Sequence, residues 1–330
     1  MNVIEQPNKQ PTPQQVNSGQ RKTVAVIVVS YHTGPVLMTA LESVLVQPEL
    51  TELVLVNNGN PAEVVDALTE LVDREPRLTL LDGQGNIGFA AGCNLGVASC
   101  SSELLMMLNP DCVLPGNALG SLLNEYEQLP ALSLLSPLLI NPDFTEQRGS
   151  RRTVLTPWRA LVEWLGLYRL APAHPYFRRF NQSTSPLPMT THAVEVTSGA
   201  AMLLSRKLFR ELSGFDERYF LHVEDIDLCV SLLKRGGSAY VAPQIRVVHY
   251  VSSSRSPAAR VEWHKALGFC RYFKKHFVGL YPAGFVGGVG TLVILRYVAR
   301  LPLLLFRRTG SSDTASFVQQ QINVHDANTP

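Results

Sequence analysis

The hydrophobic positions in the first third of the chain follow two alternating patterns. Continuous aliphatic and β-branched runs are typical of strands that are buried on both faces of a parallel sheet. Between these runs, apolar residues recur at helical spacing, which predicts amphipathic helices. The predicted strands are 24–30, 53–56, 78–81 and 104–108, and the predicted helices are 36–46, 61–74 and a short helix that closes at 94–99. Strands that alternate with helices predict an α/β fold with a mostly parallel central sheet and flanking helices.

Beyond residue 140 the pattern is less regular. Six prolines and several aromatic residues between 141 and 192 predict a long insertion. The elements predicted from there on are a helix at 158–170, a strand at 193–204, helices at 206–212 and 220–234, and a strand at 239–251. The segment 112–140 carries no predicted element.

The C-terminal stretch 277–295 has no charged residue and is long enough to span a bilayer. Pro282 and five glycines weaken a straight helix, and basic residues flank the stretch on both sides. We expect a re-entrant or interfacial element whose arginines and lysines meet anionic lipid. The alternative is a buried C-terminal hairpin that packs on the domain or on a second copy of the chain, which would form a homodimer.

Composition narrows the classes of function. The 330 residues are 45% hydrophobic and 17% charged, and the net charge of +2 provides no global field for binding nucleic acid. The five cysteines are odd in number and lack CxxC spacing, which argues against a disulfide framework and a structural zinc site. Residues 1–22 are rich in Gln, Asn and Pro and predict a disordered leader rather than a signal peptide, so we expect the folded part in the cytoplasm.

Polar residues follow the predicted strands at the sheet edge where ligands bind in such folds. They are Tyr31 and His32, Asn57 and Asn58, the run from Asp82 to Gly88, and Asn109 to Asp111. Asp111 could hold a divalent cation that neutralises a departing diphosphate, although an ordinary strand-end turn explains it equally well. His249, after the last strand, could be a metal ligand, although a buried structural histidine is the commoner case.

Two adjacent carboxylates, Glu224 and Asp225, stand among apolar residues. A carboxylate near an apolar wall can have its pKa raised and act as a general base. Acidic residues are also common in the first turn of a helix, where they interact favourably with the helix dipole. Both interpretations stay open at this point.

The run Gly83–Gly88 matches the pattern GxGxxG and follows a predicted strand. Asp111 lies about twenty residues further on, as in the dinucleotide-binding fingerprint. A NAD- or flavin-dependent oxidoreductase is therefore one alternative. It is weakened because two strand–helix units precede the run, and because it leaves Glu224, Asp225 and His249 without a function.

Seven motifs, taken in order, resemble the family 2 glycosyltransferases with a GT-A fold, in the rhamnosyltransferase-like branch. They are VIVVSYHT, LVLVNNGN, GNIGFAAGCNLGV, LNPD, TSGAAMLLSRKLF, GFDERYFLHVEDIDLC and VVHYVSSSRS. The resemblance implies a Rossmann-like GT-A domain at 23–255 with an acceptor-side insertion at 141–192, a membrane-associating helical region at 256–308 and a polar tail at 309–330. It implies an inverting, metal-dependent transfer of a sugar to a hydroxyl of a cell-surface polysaccharide or lipid-linked glycan. The donor would be dTDP-rhamnose or a UDP-sugar, and the place would be the cytoplasmic face of the bacterial inner membrane.

The resemblance also implies roles for single residues. The donor side would comprise Tyr31, His32, Asn57, Asn58, Asn86, Gly88, Phe89, Asn94, Asn109 and Asp111. Asp111 and His249 would hold Mg²⁺ or Mn²⁺, Asp225 would be the general base with Glu224 beside it on the acceptor side, and Gly199 would let the backbone approach the acceptor sugar. Asn57 and Asn109 stand where the family usually has Asp, and His32 stands where Asn is usual. A catalytically inactive glycan-binding protein is therefore a third alternative.

Overall fold

The computed structural model describes residues 22–170, 174–251 and 256–306. The predicted polar tail, and the predicted leader apart from Lys22, lie outside these residues. The strands are β1 (Val24–Ser30), β2 (Glu52–Asn57), β3 (Leu78–Leu81), β4 (Leu104–Leu108), β5 (Cys112–Val113), β6 (Ser133–Ile140), β7 (Arg151–Arg152), β8 (His192–Val194), β9 (Val196–Thr197), β10 (Ala201–Ser205) and β11 (Ser238–His249). The helices are α1 (Val36–Leu45), α2 (Ala62–Arg74), α3 (Phe89–Ala98), α4 (Ala118–Glu127), α5 (Pro157–Leu165), α6 (Arg206–Glu211), α7 (Glu224–Lys234), α8 (Ala258–Phe277) and α9 (Phe285–Phe306).

Most of the strands belong to one large sheet. Within the described residues its order is β3-β2-β1-β4-β10-β6-β11-β5, and β8 also pairs with β11. The strands β1, β2, β3, β4, β6 and β11 run in the same direction, whereas β10, β5 and β8 run opposite to them. The predicted α/β fold with a mostly parallel sheet and a GT-A-like arrangement is confirmed. The carboxyl ends of the parallel strands lie at one edge, which is where the candidate site is found.

Helices cover both faces of the sheet because the central strands are apolar on both sides. Successive side chains of a strand point to opposite faces, and in β1 the residues Ala25, Ile27 and Val29 pack toward α3, α6 and α7. The alternate residues of β1 pack toward α1, α2 and α4. Helix α3 lies very close to β1, since a Cβ atom at Gly92 would come within 2.8 Å of Val29 Cγ1.

Several predicted boundaries are wrong. The short helix predicted to close at 94–99 is α3, which begins at Phe89 and ends at Ala98, whereas the helix predicted from residue 220 begins only at Glu224. His222 and Val223 have φ angles of 66° and 75°, so the backbone before α7 cannot be helical. The predicted strand 193–204 is divided into β8, β9 and β10, of which β9 pairs with β7 in a separate small sheet.

The segment without a predicted element contains β5, α4 and β6. Strand β6 is fully buried, but Pro137 interrupts its apolar run, and a proline argues against an internal strand. Here β11 pairs with β6 on both sides of an irregularity between Ala242 and Arg246. The proline thus lies where the hydrogen-bonding ladder is already interrupted.

The apolar stretch 277–295 is not a single element. Helix α8 ends at Phe277, and α9 begins at Phe285 and packs on α8 as a hairpin. Residues 285–305 form a helix that is long and apolar enough to cross a membrane, with a mean hydropathy of 1.6 and 17% of it buried. The predicted stretch ended at residue 295, before the end of α9, because Arg296 interrupts the apolar run in the sequence. The guanidinium of Arg296 lies 5.5 Å from the ring centroid of Trp164 in α5, where it can form a cation–π contact.

Candidate active site

The turn after β2 is held by buried asparagines. Asn57 Nδ2 donates to Asp82 Oδ1 at 3.0 Å, and Asn57 Oδ1 accepts from the backbone N–H of Asn60 at 2.9 Å. Asn58 Nδ2 donates to the carbonyl oxygen of Gly88 at 3.0 Å. The turn is therefore joined to the end of β3 and to the start of α3, and both predicted donor residues lie in it.

Two half-buried rings stand beside this turn. Tyr31 and His32 pack edge to face with their centroids 4.6 Å apart. A Cβ atom at Gly59 would lie 3.6 Å from Tyr31 Cε2, so the tyrosine ring borders the asparagine turn. Asp82 is exposed at the end of β3. An aromatic face and a carboxylate near each other are groups that can bind a nucleobase.

The glycine-rich run positions the start of α3. Asn86 Oδ1 accepts from the N–H of Gly88 at 3.1 Å, and the N–H of Phe89 donates to the carbonyl oxygen of Phe220 at 2.8 Å. A Cβ atom at Gly88 would lie 2.5 Å from that carbonyl oxygen, and Gly88 has a φ of 88°, so only glycine fits. The run follows β3, the edge strand of the described sheet, rather than a central strand, which argues against a dinucleotide site.

Asn94 lies further along α3, and its side chain is engaged elsewhere. Its Nδ2 donates to the carbonyl oxygen of Phe215 at 2.9 Å, and its Oδ1 accepts from the N–H of Phe215 at 3.0 Å. These contacts join α3 to the loop before α7. The role of Asn94 in donor binding stays a prediction.

Asp111 and His249 meet at the centre of the sheet edge. Both are buried, and His249 Nε2 lies 3.1 Å from Asp111 Oδ1 and 3.3 Å from Asn109 Nδ2. The pairing of β5 with β11 places Cys112 opposite His249 and so brings the two side chains together. Burial raises the pKa of the Cys112 thiol well above its ordinary value, so this thiol keeps its proton.

Gln147 determines which ring nitrogen of His249 carries a proton. Its Nε2 donates to the carbonyl oxygen of His249 at 3.0 Å and to Asn141 Oδ1 at 3.2 Å, so its Oε1 faces the ring. His249 Nδ1, which lies 2.6 Å from that oxygen, is therefore the donor. His249 Nε2 then faces a carboxylate oxygen, and the two would repel unless a proton or a cation lay between them. The oxygen and nitrogen donors of this pair fit Mg²⁺ or Mn²⁺.

Asp225 lies in the first turn of α7 and accepts several hydrogen bonds. Its Oδ2 accepts from Arg152 Nη2 at 2.5 Å and from the N–H of Gly199 at 3.0 Å, and its Oδ1 accepts from the N–H of Ile226 at 2.8 Å. Burial alone would raise the pKa of Asp225, but the charge and hydrogen bond of Arg152 and the N–H of Gly199 lower it below its ordinary value. Asp225 is therefore a carboxylate at neutral pH.

Glu224, the neighbour of Asp225, has the opposite environment. It is buried, and its Oε2 has no hydrogen-bond partner among the residues that the structure describes. Burial and the adjacent Asp225 charge raise the pKa of Glu224 above its ordinary value. Of the two carboxyl groups, Glu224 therefore has the raised pKa that the apolar surroundings predict, while Asp225 does not.

Gly199 and Ala200 connect the Asp111–His249 pair to the Glu224–Asp225 pair. The carbonyl oxygen of Ala200 accepts from the N–H of Asn109 at 2.8 Å, and the N–H of Gly199 binds Asp225. A Cβ atom at Gly199 would come within 2.9 Å of Asp225 Cβ, so a side chain there would displace the carboxylate. The structure thus assigns Gly199 a contact with Asp225, while its contact with an acceptor sugar stays a prediction.

Three residues of the site were not among the predicted site residues: Asp82, Gln147 and Arg152. The sequence could have indicated Asp82, since it directly follows a predicted strand and so lies at the same sheet edge as the asparagine turn. Gln147 and Arg152 lie in the irregular insertion, where no periodicity marks a position relative to the sheet.

Residues 25–213, more than half of the chain, match the sequence profile of the family described as Glycosyl transferase family 2. A curated relative is the N-acetylglucosaminyl-diphospho-decaprenol L-rhamnosyltransferase of Mycobacterium tuberculosis. It is 27% identical over 263 residues, which cover 72% of this chain and 80% of that protein.

Two solved structures resemble the fold at 15% sequence identity each. GalNAc-T7 with UDP, GalNAc and Mn²⁺ superposes with a TM-score of 0.55 over 91% of this chain, which spans only 54% of that longer chain. The mannosyltransferase PcManGT from Pyrobaculum calidifontis in complex with GDP-Man and Mn²⁺ superposes with a TM-score of 0.53 over 97% of this chain and 84% of that one.

Proposed function

Because the chain belongs to glycosyltransferase family 2, we propose that it transfers rhamnose from dTDP-rhamnose to a hydroxyl of a lipid-linked or cell-surface glycan, with inversion. The observation that carries this proposal is the arrangement at the sheet edge. A cation-compatible pair, Asp111 and His249, is joined through residues 199 and 200 to a carboxyl pair, Glu224 and Asp225. Such an edge supplies what sugar transfer from a nucleoside diphosphate needs, namely a place for the leaving diphosphate and a proton acceptor.

The reaction would be a single displacement at the anomeric carbon. The acceptor oxygen forms a bond to this carbon while the bond to the diphosphate oxygen breaks, and the diphosphate leaves with the electron pair. Asp225 takes the proton of the acceptor hydroxyl through Oδ1, because Oδ2 already accepts two hydrogen bonds. A divalent cation held by Asp111 and His249 would neutralise charge on the leaving diphosphate.

The choice of donor rests on the relative and on the donor end of the site. The relative's name describes an L-rhamnosyltransferase, which favours dTDP-rhamnose, and a UDP-sugar is the next candidate. We infer that Asp82 accepts a hydrogen bond from the base, since its exposed carboxylate borders the asparagine turn. Thymine and uracil both offer an imide N–H that a carboxylate can bind.

The acceptor and the membrane are connected in this proposal. The relative's name describes an acceptor on diphospho-decaprenol, a lipid. The insertion helix α5 packs on the apolar helix α9, whose outward side chains include Leu292, Leu295 and Val298, each about half exposed. We infer that α9 associates with the cytoplasmic face of the inner membrane and holds the acceptor side near a lipid-linked glycan.

Calorimetric binding of dTDP, UDP, GDP and NAD, each with and without Mn²⁺, tests the proposal. We expect metal-dependent binding of dTDP or UDP, and transfer of labelled rhamnose from dTDP-rhamnose to a diphospholipid-linked N-acetylglucosamine. Metal-independent binding of NAD alone would contradict the proposal and favour the oxidoreductase alternative. Nucleotide binding without transfer to any glycan or to water would favour the inactive glycan-binding alternative.

A further inference from the structure

Arg152 reaches the carboxyl pair from the insertion. The short strand β7 pairs with β9, with Arg152 opposite Val196, and this pairing brings the base of the insertion beside α7. Arg152 Nη2 donates to Asp225 Oδ2 and to the carbonyl oxygen of Thr197, both at 2.5 Å. The guanidinium carbon lies 5.7 Å from the ring centroid of Phe180, and Nε is buried without a partner among the described residues.

This ion pair is sheltered from solvent. The side chains of Arg152 and Asp225 are only 11% and 12% exposed, so the attraction between them is poorly screened. Glu224, by contrast, accepts no hydrogen bond from Arg152 among the described residues, although the charge of Arg152 also acts on it more weakly. Two adjacent buried carboxyl groups rarely ionise together, because each charge raises the pKa of the other. The charge of Arg152 lies against Asp225, so Asp225 ionises in preference to Glu224.

We propose that Arg152 is the positioning residue that makes Asp225, and not Glu224, the proton acceptor for the sugar acceptor's hydroxyl. Arg152 holds Asp225 as an oriented carboxylate, and Glu224 stays a neutral acid whose O–H can donate a hydrogen bond. This inference rests on the proposed function, since it concerns the base of that reaction. Environments that separate the pKa values of two neighbouring carboxyl groups are the usual way in which one becomes the acid and the other the base.

Other titratable groups also lie near Glu224 and Asp225, and their titration must be distinguished from that of these two carboxyl groups. They are His222 in the loop before α7, Asp227 and Cys229 in α7, and Cys93 in α3. Burial lowers the pKa of His222 to about 4 and raises that of Cys229 to about 12, and the thiol of Cys93 also keeps its proton. Asp227 is bound by His276 and Lys275, which lower its pKa despite burial. None of these groups changes charge near neutral pH.

The pH dependence of kcat/KM tests the proposal in the full chain. The acidic limb reports protonation of the base, so the wild type should stay active well below neutral pH. Arg152→Gln removes the charge and should move this limb up by about one to three pH units. Arg152→Lys keeps the charge, so its limb should stay near that of the wild type while kcat falls. Arg159→Gln is the matched control, since Arg159 is also a mostly buried arginine of the insertion that faces a glutamate, Glu195, at 3.8 Å, and its limb should not move.

A titration of carbon-13-labelled carboxyl groups by NMR decides the case if Arg152→Gln is too slow to assay. The Asp225 and Glu224 signals are assigned with Asp225→Asn and Glu224→Gln. In the wild type Asp225 should titrate below an ordinary aspartate and Glu224 above an ordinary glutamate, and Arg152→Gln should bring the two closer together. Unchanged signals in Arg152→Gln would overturn the proposal. This measurement needs no turnover, so it separates failure of the Arg152 assignment from failure of the proposed glycosyl transfer.

Discussion

The two halves of the sheet edge are built in different ways. The donor half, formed by Tyr31, Asn57, Asn58 and Asp82, is held mainly by neutral amides that bond to backbone and to one exposed carboxylate. The acceptor half, formed by Arg152, Gly199, Glu224 and Asp225, is held by buried charges. A buried charge that loses its partner costs more than a buried neutral amide that loses its partner. Single substitutions should therefore affect the acceptor half more strongly than the donor half.

The largest effect is expected at the base. Asp225→Asn keeps the shape of the side chain but cannot take a proton and leaves Arg152 without a counter-charge. We expect transfer to fall by about 10²- to 10⁴-fold, the usual contribution of a general base, with donor binding retained. Rates of sugar transfer, with calorimetric donor binding as the control, measure this. Full residual turnover would remove Asp225 from the role of base.

A smaller but still large effect is expected where the two halves meet. Asp111→Ala removes the carboxylate that would hold the cation, so metal-dependent donor binding should weaken about 100-fold, which corresponds to about 3 kcal/mol. Cys112→Ala is the matched comparison, because its thiol lies in the same group of side chains but is a softer ligand than Mg²⁺ or Mn²⁺ prefers, so its loss should leave the Mn²⁺ dependence unchanged. Binding of dTDP and UDP as a function of Mn²⁺ concentration distinguishes the two variants. Equal Mn²⁺ dependence in Asp111→Ala and the wild type would place the cation elsewhere.

The orientation of His249 gives a third prediction. Gln147→Leu removes the acceptor that keeps the proton on Nδ1, so His249 can turn or change tautomer. Loss of such a supporting contact commonly lowers metal affinity by about 10- to 100-fold. Mn²⁺ affinity, measured by electron paramagnetic resonance, should show this loss, and Gln147→Glu should recover part of it, since its carboxylate can still accept from Nδ1. Unchanged affinity in Gln147→Leu would mean that Gln147 only packs beneath the ring.

The difference between the halves also explains how much the sequence could predict. Each donor residue directly follows a parallel strand, and parallel strands place their carboxyl ends at one edge, so the pattern located these residues together. The acceptor half depends on Arg152, and the orientation of His249 depends on Gln147; both residues lie in an insertion whose two-residue strand has no periodic signal. Asp225 was located by its motif, but its environment was misjudged, because the apolar neighbours in sequence predict a raised pKa and the distant Arg152 reverses it. The length of α9 was missed because a local run of apolar residues cannot show that Arg296 packs on an aromatic ring.

The smallest effect is expected in the donor half, at Asp82. Asp82→Asn should weaken binding of dTDP and UDP by about tenfold, the value of one charge-assisted hydrogen bond, and should leave Mn²⁺ dependence unchanged. The chain offers a matched exchange, since Asn57 Nδ2 donates to Asp82 Oδ1. The double variant Asn57→Asp with Asp82→Asn returns one carboxylate and one amide to the same pair. It should restore the hydrogen bond between the two side chains but not the lost affinity, because a carboxylate at position 57 is buried in the turn, whereas position 82 is exposed to the base. If Asp82→Asn binds dTDP, UDP and CDP as the wild type does, the carboxylate does not select the base, and the donor half is held together by Asn57 and Asp82 without reading the nucleotide.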